Sequence, residues 1–97
     1  MTSPAFVWDD DKYRKNLRRH GVAFEDAATV FQDENGLAMF DPEHSNDEDR
    51  YILLGMSATL RLLVVCHCYR ESDTVIRIIS ARKAIKGERK QYEEKML

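Results

Sequence analysis

Residues 60–80 read LRLLVVCHCYRESDTVIRIIS, two β-prone runs separated by a polar triplet, and this stretch decides the fold. Leu60–Tyr69 is predicted to be a long strand and Thr74–Ser80 its antiparallel partner, with Glu71-Ser72-Asp73 as a tight hairpin connection. Pairing Arg70 with Thr74 sets His67 opposite Arg77, Cys66 opposite Ile78 and Val65 opposite Ile79. On that register one face carries Leu62, Val64, Cys66, Cys68, Ile76 and Ile78 and is expected to hold the helices. The other face mixes Leu63, Val65 and Ile79 with Arg61, Arg77, His67 and Tyr69. A cation facing an imidazole across a sheet is poor packing, because an unpaired buried charge costs several kcal/mol. Arg61, Arg77 and, from the start of the last helix, Arg82 are therefore candidates to converge on an anion. A guanidinium fork suits phosphate and stays charged. The plain alternative is that Arg77 pairs with an acid such as Glu48 at a sheet edge.

Outward from the hairpin, Ala5–Trp8 reads as a first strand. The run Asp9-Asp10-Asp11 then suits a helix N-terminus as cap and dipole partner. That helix is predicted to run to His20, with Tyr13, Leu17 and His20 on one face and Gly21 as its stop. A second helix is expected over Phe24–Phe31, with Phe24, Ala27, Ala28 and Phe31 at helical spacing and no hydroxyl at its cap, Ala23. Leu37–Asp41 and Arg50–Ser57 are strand-like, and between them Pro42–Asp49 is an acidic loop holding His44. Ser80 is expected to cap a C-terminal helix from Ala81, with Ala81, Ala84, Ile85, Tyr92 and Met96 as its stripe and Gly87 interrupting it. The order β-α-α-β-β-β-β-α predicts one α+β domain over residues 1–97: a small, mostly antiparallel sheet packed by two N-terminal helices and a C-terminal helix.

The chain has 97 residues, 43% of them apolar and 33% charged. That suffices for one core and argues against a membrane protein, since the longest apolar run, Leu62–Cys66, is far short of the ~20 residues of a spanning helix. Met1–Trp8 has no basic n-region and no long apolar stretch, so no signal peptide is expected, and a cytoplasmic location is. Cys66 and Cys68 lie two apart in a strand, poor geometry for a disulfide, and read as small apolar residues. Cys-His-Cys is no metal site on this reading, because His67 projects from the other face. No zinc signature, phosphate loop or nucleophile elbow occurs, and neither a metal nor another cofactor is expected.

The net charge is −2, but its distribution says more than its sum. Residues 1–22 carry five basic and three acidic groups, residues 23–49 nine acidic and no Lys or Arg, and residues 50–97 ten basic and five acidic. Two basic ends around an acidic middle form a positive patch if the ends meet in space. Imidazoles titrate near neutrality and serve as general acids or bases. His44, in the acidic loop, is the more suggestive of the histidines, though a surface role also fits. His20 fits catalysis or simple stabilisation of a helix C-terminus.

Several segments together resemble the BrnT family over some 85 residues. They are Trp8-Asp9 with Lys12 and Asn16; His20-Gly21-Val22 with Phe24, Ala27, Val30-Phe31 and Asp33; and Asp41 with His44-Ser45, Glu48 and Arg50. Further along are Gly55, Ser57, Arg61-Leu62 and the run Ile76–Arg82 with Ala84, Glu88 and Tyr92. One departure is Ala23, where the family usually has Ser. The resemblance implies a RelE-like ribonuclease fold, metal-independent RNA cleavage that inhibits translation, and neutralisation by a BrnA-type ribbon-helix-helix antitoxin. It also implies operator DNA binding only through that antitoxin. Carried over residue by residue, it points to Arg61, Arg77 and Arg82, with Lys12, His20, His44 and Glu48 behind them. A second reading is a binding module without useful catalysis, acting as antitoxin partner and corepressor. The acidic segment favours it in part, since a basic antitoxin tail could lie there.

Overall fold

The computed structural model describes residues 4–97. Helix α1 (Asp10–His20) forms where its caps dictate. Asp9 accepts from the Lys12 N–H at 3.0 Å, while Gly21 closes the helix in the left-handed region at φ +67° and donates to Leu17 O. Asp10 and Asp11 in the first turn and Arg18, Arg19 and His20 in the last complement the helix dipole. The buried residue of α1 is Asn16; of the Tyr13-Leu17-His20 stripe, Tyr13 stacks on Phe24 of the core, whereas Leu17 is exposed. Helix α2 (Phe24–Thr29) starts at Ala23 with no side-chain cap and tightens into a 3-10 turn, Val30–Gln32.

Strands β1 (Ala5–Val7), β2 (Leu37–Phe40), β3 (Tyr51–Met56), β4 (Leu62–Arg70) and β5 (Val75–Lys83) form one sheet in the order β1-β5-β4-β3-β2. All pairings are antiparallel except β1 with β5. The chain is therefore α+β, as its pattern indicates.

The register of the β4–β5 hairpin differs from the sequence expectation. Arg70 pairs with Val75, Cys68 with Arg77 and His67 with Ile78; then Ile79 bulges out and Cys66 meets Ser80. The cause is the connection, in which Glu71, Ser72 and Asp73 all take positive φ and Thr74 N–H bonds back to Glu71 O, so four residues are spent in the loop. The bulge then inverts the alternation of β5. Ile76, Ile78 and Ala81 all face one side, and Arg77, Ser80 and Arg82 the other.

Helices α1 and α2 pack on the side of Leu63, Val65 and His67, not on the cysteine side. The core there joins Val22, Phe24, Ala27 and Val30 to Leu63, Val65, Ile78 and Ala81, all fully buried. Burying Phe24 alone is worth about 1.5–3 kcal/mol. Helix α3 (Lys86–Lys95) lies on the opposite face, with Tyr92 on Leu54, Leu62 and Val64. It begins five residues later than expected because β5 continues through Ala81–Lys83, so Ser80 is a strand residue and not a cap. Its first turn is closed by Glu88, whose Oε1 accepts from the Ile85 N–H at 2.9 Å. Arg82 accordingly projects from a strand. Because α3 covers only one end of its face, the stretch around Cys66, Ser80 and Arg82 stays open.

Two polar residues lock these layers together. Asn16 bonds the edge of β5 where β1 has ended: its Nδ2 donates to Ala81 O at 2.9 Å and Val22 O at 3.0 Å, and its Oδ1 accepts from Ala81 N–H at 3.1 Å. Asp33 accepts from Met56 N–H at 2.8 Å and from the Tyr92 hydroxyl at 2.6 Å. Burial pushes the Asp33 carboxyl up, but these bonds and the Asn35 N–H together hold it below the usual carboxylate range. Gly55 passes beneath so closely that a Cβ would stand 2.7 Å from Val30 Cγ1.

Candidate functional site

The open stretch of sheet is the floor of a groove of about 390 Å³, walled by the end of α1 and by the 3-10 turn Pro42–His44. From the turn, His44 Nδ1 lies 2.8 Å from Asp41 Oδ2; the aspartate side chain is 11% exposed and the imidazole 61%. A carboxylate can only accept, so the hydrogen of this bond sits on Nδ1, which leaves Nε2 as the ring nitrogen available for proton transfer. The turn itself is fixed: Asp41 N–H donates to Arg50 O, Ser45 Oγ donates to Asp41 O, and Arg50 N–H donates to Ser45 Oγ. From α1, Arg19 and His20 reach the same groove.

Three guanidiniums line it, Arg19, Arg50 and Arg82. Arg82 is gripped in a fork by Glu88, with both N···O distances 2.8 Å. That pairing raises the Arg82 pKa and lowers the Glu88 one, so both stay charged. The Arg50 Nε is buried without a hydrogen-bond partner. Cys66 lies on the floor; burial pushes its thiol up, with Arg50 offsetting only part of this, so it stays a neutral thiol. A second, smaller cleft of about 250 Å³ shares Arg19, His20, Ile79 and Ser80 with the first and adds Lys12 and Lys15. A basic track therefore runs from the groove along α1. Among the described residues no group of three or more His, Cys, Asp or Glu could hold a metal ion.

Such a site offers a positioned base, a second imidazole and several fixed cations, the parts that phosphodiester chemistry needs. The whole-chain comparison agrees with this chemistry. The family model described as the ribonuclease toxin BrnT of a type II toxin–antitoxin system matches residues 8–88. The chain belongs to the BrnT family. The crystal structure of the Brucella abortus ribonuclease toxin BrnT superposes with a TM-score of 0.62 at 22% identity, covering 87% of this chain and 100% of that one, which shows the shared fold. No curated protein sequence matches the chain. As a BrnT-family member it is a ribonuclease toxin of a type II toxin–antitoxin system, and an antitoxin partner follows from that class.

On this BrnT fold the residues singled out from the sequence do not share one place. His20, His44 and Arg82 line the groove, and Lys12 lines the adjoining cleft. Arg61 lies elsewhere and donates to Gly21 O at 3.2 Å, closing the end of α1. Arg77 opposes Cys68, not His67, and lines a separate cleft with Val7, Trp8, Asp9 and Arg70. The expected convergence of the three arginines is thus replaced by Arg19, Arg50 and Arg82. Glu48 pairs with Arg70 at 2.9 Å, not with Arg77. His67 is a core residue, 1% exposed, with its ring 4.7 Å from that of Phe31 and its Nδ1 on Val65 O; burial lowers its pKa. Asp41, Arg50 and Arg19 join the site only in the folded chain. The signal for the first was its position three residues before His44, the spacing at which a turn brings a carboxylate onto an imidazole.

Proposed function

We propose that this toxin is a metal-independent endoribonuclease working by transfer to the ribose 2′-OH. The observation that carries the reading is the Asp41–His44 pair opening onto a groove with His20 and three arginines. His44 Nε2 takes the 2′-OH proton as O2′ attacks phosphorus. The O2′–P bond forms, the P–O5′ bond breaks, and His20 delivers a proton to the leaving O5′. The products are a 2′,3′-cyclic phosphate and a 5′-OH. Arg19, Arg50 and Arg82 stabilise the charge that builds on the phosphoryl oxygens, a role worth about 10²–10³ in rate per donor. Lys12 and Lys15 hold the neighbouring backbone, while Arg61 acts through Gly21 O by fixing the end of α1 that carries His20. Arg77, outside the groove, bears on longer RNA only, while Glu48 is engaged by Arg70 and takes no part in the step.

In the cell such cleavage inhibits translation in the cytoplasm. A BrnA-type ribbon-helix-helix antitoxin neutralises the toxin, and operator DNA is reached only through that antitoxin. The test is cleavage of end-labelled RNA in EDTA with analysis of the new ends. His44→Ala is expected to lose about 10²–10⁴ in rate, and Asp41→Asn to lose activity by freeing the wrong tautomer while the chain stays folded. Products ending in 3′-OH, or full activity of His44→Ala, would refute the mechanism. A folded chain that cleaves no RNA would turn the weight to a binding role.

A further inference from the structure

We infer that the free edge of β2 docks an extended, basic segment of another protein as a sixth strand of the sheet. Four observations lead there, none of which depends on the ribonuclease reading.

β2 is the last strand of the sheet and pairs only with β3. Asp41 N–H bonds to Arg50 O at 2.9 Å, and this pair continues the β2–β3 register in which Phe40 meets Tyr51 and Met39 meets Ile52. Alternation then turns the backbone groups of Leu37 and Met39 towards β3 and points those of Ala38 and Phe40 outward. An incoming strand is offered two N–H and two C=O groups.

The side chains on this edge are apolar on both faces. Met39 is 47% exposed and Phe40 50%, and the Phe40 ring begins a run to Tyr51 at 5.6 Å and on to Tyr69 at 5.5 Å. Proteins ordinarily blunt such edges with Lys or Pro within the strand. Leu-Ala-Met-Phe has neither.

Charge selects the occupant. β2 sits inside residues 23–49, which hold nine acids and no Lys or Arg. Glu34 on one side and Glu43, Asp47 and Asp49 on the other are exposed. Lys95 reaches the start of the edge, where its Nζ donates to Gly36 O at 2.9 Å, and Arg50 stands at the other end, beside Glu43 and Asp47. A second copy of this chain would set acid against acid; a strand of alternating apolar and basic residues meets both the apolar ladder and the field.

The probe is a ten-residue peptide alternating Val with Lys, titrated into the isotope-labelled full chain, with a Val–Glu peptide as control. Amide shifts centred on residues 37–41 and 51 are expected for the Lys peptide and none for the Glu peptide. Ala38→Pro removes one outward N–H that β3 does not use, and edge positions tolerate Pro. It is expected to weaken binding roughly tenfold, with unchanged thermal melting and RNA cleavage. Phe40→Lys gives the same loss through the side chains and serves if the proline variant does not fold. Absence of Lys-peptide binding, shifts centred elsewhere, equal binding of the Glu peptide, or undiminished binding in these variants would each overturn the inference. So would a dimer of the free chain, seen in sedimentation and dissolved by Ala38→Pro, which would assign the edge to a second copy.

Discussion

Replacing Asn16 by Leu keeps the volume of a buried side chain and removes all three of its hydrogen bonds. The Ala81 N–H then loses its acceptor, because β1 stops at Val7 and among the described residues no other strand pairs with β5 on that edge. An orphaned buried donor costs about 1–3 kcal/mol, and the Val22 and Ala81 carbonyls lose their shared donor as well. The expected loss is therefore about 2–4 kcal/mol, a large part of the roughly 5–15 kcal/mol that holds a domain of this size. Urea unfolding followed by circular dichroism measures it as a fall in midpoint at unchanged slope. Asn16→Asp separates hydrogen bonding from packing. Its carboxylate can still accept from the Ala81 N–H, but its other oxygen faces two carbonyl oxygens, and only protonation restores a donor. Its folded-state pKa is thus raised, so its deficit against wild type is greatest at about pH 7.5 and shrinks as the pH falls towards about 4. An Asn16→Leu chain within about 0.5 kcal/mol of wild type would refute the view that this amide replaces a missing strand. So would an Asn16→Asp deficit independent of pH.

Three further outcomes follow from the packing. The His67 pKa is lowered by burial, so its stability contribution is complete above its unfolded value of about 6.5 and is lost as pH falls below it; His67→Phe should flatten the fall in urea midpoint between about pH 7.5 and 5. Gly55→Ala drives a Cβ to 2.7 Å from Val30 Cγ1 and should cost about 1–3 kcal/mol in the same assay, while an exposed Gly87→Ala, with nothing within 4 Å, should be neutral or stabilising. Glu88→Gln breaks the fork on Arg82 and weakens the bond to Ile85 N–H, an expected loss of about 1–2 kcal/mol. Because the Arg82 fork holds the Glu88 pKa low, that loss should be present above the unfolded value of about 4.3 and fade as pH falls through it; a loss constant down to about pH 3 would contradict the pairing.

What could be read from the chain and what could not divide along local and non-local lines. Caps act within four residues, so Asp9 and Gly21 marked the ends of α1 correctly, and the order of elements followed from periodicity alone. The hairpin register was not local in that sense. It turned on three consecutive non-glycine residues adopting positive φ and on a bulge at Ile79, neither of which has a composition signal. One misplaced residue exchanged the two faces of β5, sent His67 into the core and moved α1 and α2, though not α3, to the other side of the sheet. The bulge even returned Arg77 and Arg82 to a common face, yet five positions apart in a strand they stand about 15 Å from each other. His44 and His20 were legible because a histidine in a short polar loop or at a helix end has few structural duties. Arg50 was not, since only the folded β3 and its loop show that its Nε is buried beside the groove without a partner.

The RNA binding proposed for this acidic chain looks contradictory only while charge is summed. Tight phosphate binding draws on a local positive field, and the field of a protein is set by where its charges lie. Here the two basic segments of the sequence meet because Asn16 of the first bonds Ala81 of the last, at 2.9 and 3.1 Å across 65 residues. That contact sets Lys12, Lys15 and Arg19 beside Ser80 and Arg82, and Arg50 completes the wall. The acidic segment between them contributes to the groove only the turn with Asp41 and His44, and its one carboxylate there is engaged by the imidazole. Of its exposed acids, Glu25 lies on α2 against the Tyr13 hydroxyl, and Glu34, Glu43, Asp47 and Asp49 flank β2 outside the groove lining. The same two hydrogen bonds that close the edge of β5 therefore assemble the basic groove, and a variant that loosens them should lose RNA cleavage along with stability.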